Sequence, residues 1–291
     1  MKELYKEYKG LLFSLAYQMT GSAIDAEDVV QDTFLKLNDL DRDRLDEPRA
    51  YLCKMVTNRC KDLLKSARHR KEQYVGEWLP EPIVTLEDQT SEAVIRDQQL
   101  AYAVLVMLER LSPEERAVFV LHEAIGFKYN EIASIVNKSE VNCRKINSRA
   151  REKLGVPTEL NIQSETASRQ WINRFLRVIE QDNVDEIISM LAEDVVLIAD
   201  GGGKVTAAVQ PIKSSKNVAS FLIGLYRKVS KSDEALHIER TNINGQYGLI
   251  IRINKYIDSV VLFHIKNNAI SNIYLVRNPD KLNGIKKMNT Q

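Results

Sequence analysis

The chain has 291 residues, 44% of them apolar and 28% charged, and a formal net charge of +1. These values fit two or three packed domains. No stretch approaches the roughly 18–20 uncharged apolar residues of a membrane helix, and MKELYKEYKG lacks the apolar run of a signal peptide, so the expectation is a cytoplasmic chain with no membrane partner. The three cysteines, Cys53, Cys60 and Cys143, show no ligand spacing with the four histidines. They read as buried thiols, with no metal and no cofactor expected.

The charge is segregated. Residues 54–71 carry Lys54, Arg59, Lys61, Lys65, Arg68, Arg70 and Lys71 against Asp62 alone; residues 73–92 carry five acids and no base; residues 144–153 are basic again. Two basic segments flanking an acidic spacer suggest two contacts with a polyanion.

From residue 1 to 72 the apolar residues fall at helical spacing, as in Leu11, Leu12, Leu15, Ala16 and Met19, then Val29, Val30, Phe34 and Leu37. GSAIDAEDVVQDTF predicts a break at Gly21 and a new helix with acids in its first turn, and Pro48 opens another long helix. That helix sets Leu52, Val56, Leu63 and Ala67 on one face and Asn58, Lys61, Asp62, Lys65 and Arg68 on another. Residues 73–92 read as an extended linker, with Trp78, Leu79 and Ile83 expected to dock on something. Helices return over 93–154, where Ser112-Pro-Glu-Glu starts one and Gly126 stops it.

The stretch FKYNEIASIVNKSEVNCRKINSRAREKL has the grammar of a helix-turn-helix. Ile132 and Ala133 turn inward, a tight turn lies at Asn137 and Lys138, and Ser139 caps a second helix with Val141 and Ile146 inward. The second helix would offer Glu140, Asn142, Arg144, Lys145, Asn147 and Arg149 outward as donors and acceptors for a major groove; a plain helical hairpin with a solvated charged face is the alternative. Beyond Pro157 two amphipathic helices precede the β-rich runs VVLIAD, KVTAAVQPI, LHIERTNI, GLIIRIN, SVVLFHIK and AISNIYLVRN, which makes the third segment α+β.

On these motifs residues 1–156 resemble the extracytoplasmic-function sigma factors of bacterial transcription initiation. DAEDVVQDTFLKL resembles the region-two helix that docks on the polymerase clamp helices, PRAYLCKMVTNRCKDLLKSARHRK the helix facing the minus-ten element, and LSPEERAVFVLHEAIGFKYNEIASIVNKSEVNCRKINSRAREKL region four, which reads the minus-thirty-five element. The third segment resembles a SnoaL-like domain, and the subgroup that carries this fusion shares WLPEP (78–82), DGGGK (200–204) and NPDKL (278–282). Around NCR the chain departs from that subgroup, with Val141 and Lys145 where alanine and glutamine are common, so the class stands apart from the promoter sequence, which is left open.

The resemblance implies a multidomain chain: a region-two helical bundle at 1–72, a linker at 73–95, a region-four helix-turn-helix at 96–156, and a SnoaL-like cone with a curved sheet at 157–291. Its implied partners are core RNA polymerase, through clamp helices and flap, and promoter DNA. Asp28, Gln31, Asp32, Phe34 and Leu37 are the residues implied for the clamp helices, the apolar pair filling the seam. Asn58, Lys61, Asp62, Lys65 and Arg68 would face the minus-ten strand, and the loop LDRDRLDEP (40–48) would capture a base. Glu140, Asn142, Arg144 and Lys145 would lie over minus-thirty-five bases, with Arg149 and Arg151 on phosphates.

DGGGK cannot be a phosphate loop, because Lys204 is followed by Val205 and a β-rich run rather than by Ser or Thr and a helix. Its local reading is a turn. The resemblance adds docking: Trp78, Leu79 and Pro80, Asp200, Gly201, Gly202, Gly203 and Lys204, and Asn278, Pro279, Asp280, Lys281 and Leu282 would join the fused domain to the sigma part and regulate it, in place of a separate anti-sigma protein. The competing reading is a helix-turn-helix regulator whose SnoaL-like cavity binds a small ligand or keeps cyclase or isomerase activity, with Asp200, His237, Glu239 and His264 as acid/base candidates. No pair among those four has a spacing that demands acid/base work, so the expectation is a chain that is not an enzyme.

Overall fold

Local signals begin most of the helices. Pro48 stands at the first position of its helix; Ser112 and Glu115 form a reciprocal capping box ahead of another; Asn137 ends the first helix of the helix-turn-helix in a left-handed conformation, and the Ser139 hydroxyl accepts from the Asn142 amide to start the second. Each satisfies backbone groups that a helix end leaves unpaired.

The structure, a computed structural model, describes residues 2–38, 47–72, 74–84, 100–155, 165–231 and 234–288, without the side chains of 67–72, 165–167 and 286–288. The base-capturing loop expected over 40–48 therefore lies outside the described residues except for Glu47 and Pro48, as does the side chain of Arg68. The chain divides into two compact units: residues 1–73 with 85–160, and residues 74–84 with 161–291.

In the first unit, helices α1 (Lys2–Thr20), α2 (Ala23–Asn38) and α3 (Pro48–Glu72) pack on one another. Leu12, Leu15, Met19, Val29, Leu37, Leu52 and Val56 are buried, and the thiols of Cys53, Cys60 and Cys143 are buried and unpaired. Burial pushes the Cys53 thiol up to about 12. The second half holds α4 (Tyr102–Met107), a 3-10 turn (Leu108–Arg110), α5 (Pro113–Glu123), α6 (Tyr129–Val136) and α7 (Glu140–Leu154). The two halves are tied by Arg116, 3% exposed, whose guanidinium donates to the Met19 carbonyl (2.8 Å) and the Leu108 carbonyl (2.6 and 3.0 Å) and pairs with Glu109 (2.8 Å). They also meet where Arg49 donates to the Ile125 carbonyl (3.1 Å) and lies over the Phe127 ring, and where Lys54 donates to Asn137 (3.1 Å).

The second unit contains α8 (Glu165–Glu180), α9 (Val184–Met190), β1 (Leu191–Asp200), β2 (Ile212–Lys213), α10 (Ser215–Ser230), β3 (Leu236–Ile243), β4 (Gln246–Ile253), β5 (Tyr256–Lys266), β6 (Ala269–Val276) and α11 (Pro279–Met288). One sheet runs β2-β1-β6-β5-β4-β3, antiparallel except for the β1/β6 pair, and three register shifts break its ladders. Such bulges bend a sheet. Leu249, Val261, Phe263, Ile273 and Leu275 face a core shared with Phe175, Ile187 and Ile223 of the helices. The alternate residues Ile250, Val260, Leu262, Tyr274 and Val276 are equally buried, because α11 packs against β5 on that face. Burial on both faces explains why these strands read as continuous apolar runs instead of alternating ones.

Three expectations change. KVTAAVQPI is not a strand of its own: within it only Ile212 is in a strand, since three glycines turn the chain before it and Pro211 lacks a ladder donor. Residues 215–230 and 279–288 are helices that the β-rich reading of this segment passed over.

Candidate functional site

Three surfaces gather the residues singled out above. The first is the outer side of α7. Cys143, Ile146, Asn147, Ala150 and Leu154 turn inward, which leaves Glu140, Asn142, Arg144, Lys145 and Arg149 exposed. Arg144 pairs with Glu140 at 2.6 Å and lies over the Tyr129 ring. Two residues sit opposite to their expected sides. Val141 is 63% exposed, because the phase of the helix is set by the five residues that contact the core. Asn147 is 2% exposed and donates to Glu123 (2.9 Å) and Tyr129 (3.0 Å). Arg151, expected on phosphate, instead forms a two-bond pair with Glu123 (2.9 and 2.6 Å). Burial pushes the Glu123 carboxyl up, but the bonds from Arg151 and Asn147 outweigh it and hold the group below its ordinary value.

The second surface joins α2 and α3. Asp28, Gln31, Asn58 and Asp62 are exposed, and Asp32 pairs with Arg59 at 3.4 Å across the two helices. A cleft of about 270 Å³ lies there, lined by Asp32, Lys36, Met55, Asn58, Arg59 and Asp62. Lys61 is half-buried, and Lys65 pairs with Asp62. Phe34 and Leu37 do not present themselves for an intermolecular seam: they are 7% and 1% exposed, and Phe34 meets the Tyr5 ring edge-on. The apolar side chains that α2 does present are Ile24 and Leu35, 58% and 67% exposed.

The third site is built around Asp200, the last residue of β1, and lies wholly within the second unit. Its carboxylate is fully buried and accepts from four groups: the Tyr74 hydroxyl (2.6 Å), the Gly202 amide (3.0 Å), the Leu79 amide (2.9 Å) and the Lys281 ammonium (2.7 Å). Lys281 also donates to the Leu79 carbonyl and stands 4.0 Å from the Trp78 ring centroid. Asn278 links the parts, donating to the Tyr74 hydroxyl (2.8 Å) while its amide oxygen accepts from the Asp280 amide (3.1 Å) to cap α11. The Asp200 carbonyl accepts from the amides of Arg277 and Asn278, and Lys204 pairs with Asp280. Leu79, Pro80 and Leu282 are buried in the same place, Pro279 opens α11, and Ile83 and Val84 continue onto β3 through a bridge to Ile243.

The glycines have a stated need. At Gly202, whose φ is +61°, an added Cβ would come within 2.3 Å of the Asn278 side chain; at Gly203 it would press on Val75. The turn is therefore a surface against which residues 74–84 and NPDKL close. Burial and the bond to Asp200 push the Tyr74 phenol up, so it stays a neutral donor at physiological pH. Sequence reasoning missed the roles of Tyr74 and Arg116; Tyr74 lies outside the three motifs, Arg116 is one position within the long region-four stretch, and each has a partner more than 90 residues away.

Of the acid/base candidates, Asp200 is taken up by these four donors and Glu239 pairs with Arg252 at 3.2 Å. His237 is exposed, and burial lowers the pKa of His264. No described helix is long and apolar enough to cross a membrane.

Comparison with known proteins matches residues 4–70 to the family model Sigma-70 region 2 and residues 102–154 to Sigma-70, region 4. The ECF RNA polymerase sigma factor SigJ of Mycobacterium tuberculosis is 31% identical over 283 residues, covering 94% of this chain and 90% of that protein. The probable ECF RNA polymerase sigma factor SigI of the same species is 26% identical, covering 97% and 94%. The crystal structure of M. tuberculosis SigJ superposes with a TM-score of 0.76 at 28% identity, over 98% of this chain and 99% of that one. Two sigma-70 regions in order, with a fused strand-rich domain shared with a relative along nearly its whole length, establish that the chain belongs to the extracytoplasmic-function RNA polymerase sigma factors, which direct RNA polymerase to promoters.

Proposed function

We propose that the chain is a cytoplasmic sigma factor whose own C-terminal domain controls it by holding the linker between its two promoter-reading halves. The observation that carries this reading is the seating of residues 74–84 around Asp200. Residues 74–84, the described part of the segment joining the minus-ten half to the minus-thirty-five half, are hydrogen-bonded into the second unit.

The promoter elements make the linker important. Their centres are about 25 base pairs apart, or roughly 85 Å at 3.4 Å per pair, whereas α3 and the turn of the helix-turn-helix here touch through Lys54 and Asn137. The halves must separate to read both elements, and the linker limits how far. Asp28, Gln31 and Asp32 on α2, with Leu35 beside them, serve as the polymerase-facing set, while Phe34 and Leu37 hold that helix from within. Asn58, Lys61, Asp62 and Lys65 meet the melted strand, with Arg68 further along the same helix. Glu140, Asn142, Arg144 and Lys145 read bases and Arg149 grips phosphate; Arg151 orients α7 through Glu123.

The chain carries out no catalysis in this reading, since its strongest acid candidate, Asp200, is spent on structure. The test uses the full chain with bacterial core RNA polymerase, measuring affinity and promoter-dependent transcription for the native protein, for Asp28→Lys/Asp32→Lys, and for Tyr74→Phe. The double charge reversal is expected to abolish core binding. Tyr74→Phe removes a single hydroxyl from the Asp200 cluster and is expected to leave core affinity intact while changing transcription. Core binding by the charge-reversed chain would refute the α2 assignment, and unchanged transcription from Tyr74→Phe would refute linker control.

A further inference from the structure

Helix α7 turns about 100° per residue, so the direction opposite its buried side passes through Val141, Lys145 and Ser148. Val141 thus stands on the crest of the exposed surface, 63% exposed, between Glu140 and Asn142 and one turn before Lys145. It is the only large apolar side chain that this fully described helix turns outward. It contributes nothing to the core, and a β-branched residue is a poorer helix former than alanine at an exposed position. Local stability therefore does not explain it, while everything around it is polar or cationic and suited to nucleic acid.

Position narrows the role. Val141 is the second residue after the Ser139 cap, and the first turns of a recognition helix are the part that meets base edges in the major groove. Among the groups displayed there, the thymine 5-methyl is the one that an apolar side chain recognises. We propose that Val141 is a specificity-determining residue that packs on the 5-methyl group of a thymine in the minus-thirty-five element. The proposal rests on the reading of α7 as the reader of that element.

The test selects promoter duplexes in vitro with holoenzyme assembled from the full chain, then replaces each thymine of the minus-thirty-five element in turn by uracil, which deletes only the methyl. Affinity is measured with the native chain, Val141→Ala and, as a control, Arg149→Ala; Val141 is exposed, so its truncation removes no core packing, and core affinity checks the fold. One thymine-to-uracil change is expected to weaken native binding about three- to fivefold, the worth of one buried methyl. Val141→Ala should lose the same factor on the thymine duplex and be indifferent to uracil at that position alone. Arg149→Ala should weaken every duplex alike.

Native binding indifferent to every uracil, or a selected element with no thymine, overturns the proposal while leaving the reading of α7 intact. A Val141→Ala loss equal on thymine and uracil duplexes also overturns it and assigns Val141 to a protein contact. If no duplex is selected and Arg149→Ala changes nothing, the reading of α7 itself fails and the proposal with it.

Discussion

Two ion pairs of nearly equal length frame the molecule. Glu140 and Arg144 meet at 2.6 Å on the open face of α7, with side chains 45% and 60% exposed; Asp200 and Lys281 meet at 2.7 Å with side chains 0% and 7% exposed. The exposed pair is screened and weak, and its groups can exchange each other for bases or phosphate at small cost. The buried pair has no water to replace a lost partner, so it binds three distant chain segments into one arrangement. The α7 face proposed to meet DNA and the knot that organises the second unit use the same chemistry at opposite extremes of solvation.

The largest expected effect tests the buried extreme. Lys281→Met leaves Asp200 without its cation and is expected to destabilise the second unit by about 3–5 kcal/mol, read as a drop in its thermal transition, whereas Asp200→Asn in the same chain should restore part of the loss. Next, Gly202→Ala forces a left-handed Cβ against Asn278 and should cost about 2–3 kcal/mol with loss of the linker seat, detected by increased proteolysis between residues 74 and 84. An intact seat in that variant would show that the turn adapts and that the knot does not depend on close backbone approach.

A third prediction sits between the extremes. Glu123, 10% exposed, carries Arg151 and Asn147, and Glu123→Gln should cost about 1–2 kcal/mol near neutral pH. Because the folded carboxyl titrates below its ordinary value, this stabilisation is present above about pH 4.3, the unfolded value, and is lost as pH falls through the folded value. The difference in melting temperature between native and variant chains should therefore shrink on acidification; a constant difference would mean the pair contributes no linked protonation. The smallest effect tests the exposed extreme: Glu140→Gln should change stability by less than about 0.5 kcal/mol while altering which promoters are used, because a carboxylate that accepts from cytosine is lost. A stability loss comparable to that of Lys281→Met would erase the contrast between the pairs.

The sequence by itself determined what is local. The helix-turn-helix was legible because its signals lie within three or four residues of what they control: Ser112 with Glu115, Ser139 with the Asn142 amide, Asn137 as the left-handed stop. The three motifs were visible as motifs, and a turn was visible in the glycines. The tertiary structure alone decided whatever depends on a partner far along the chain. Val141 faces out because Cys143, Ile146 and Ala150 set the helix phase against α5 and α6, which apolarity alone does not report. Phe34 and Leu37 look the same in sequence whether they face polymerase or their own core. Asp200, Tyr74, Leu79 and Lys281 are separated by up to 207 positions, and what makes them one site is the loss of water around all of them at once, a property of the folded volume and of no single segment.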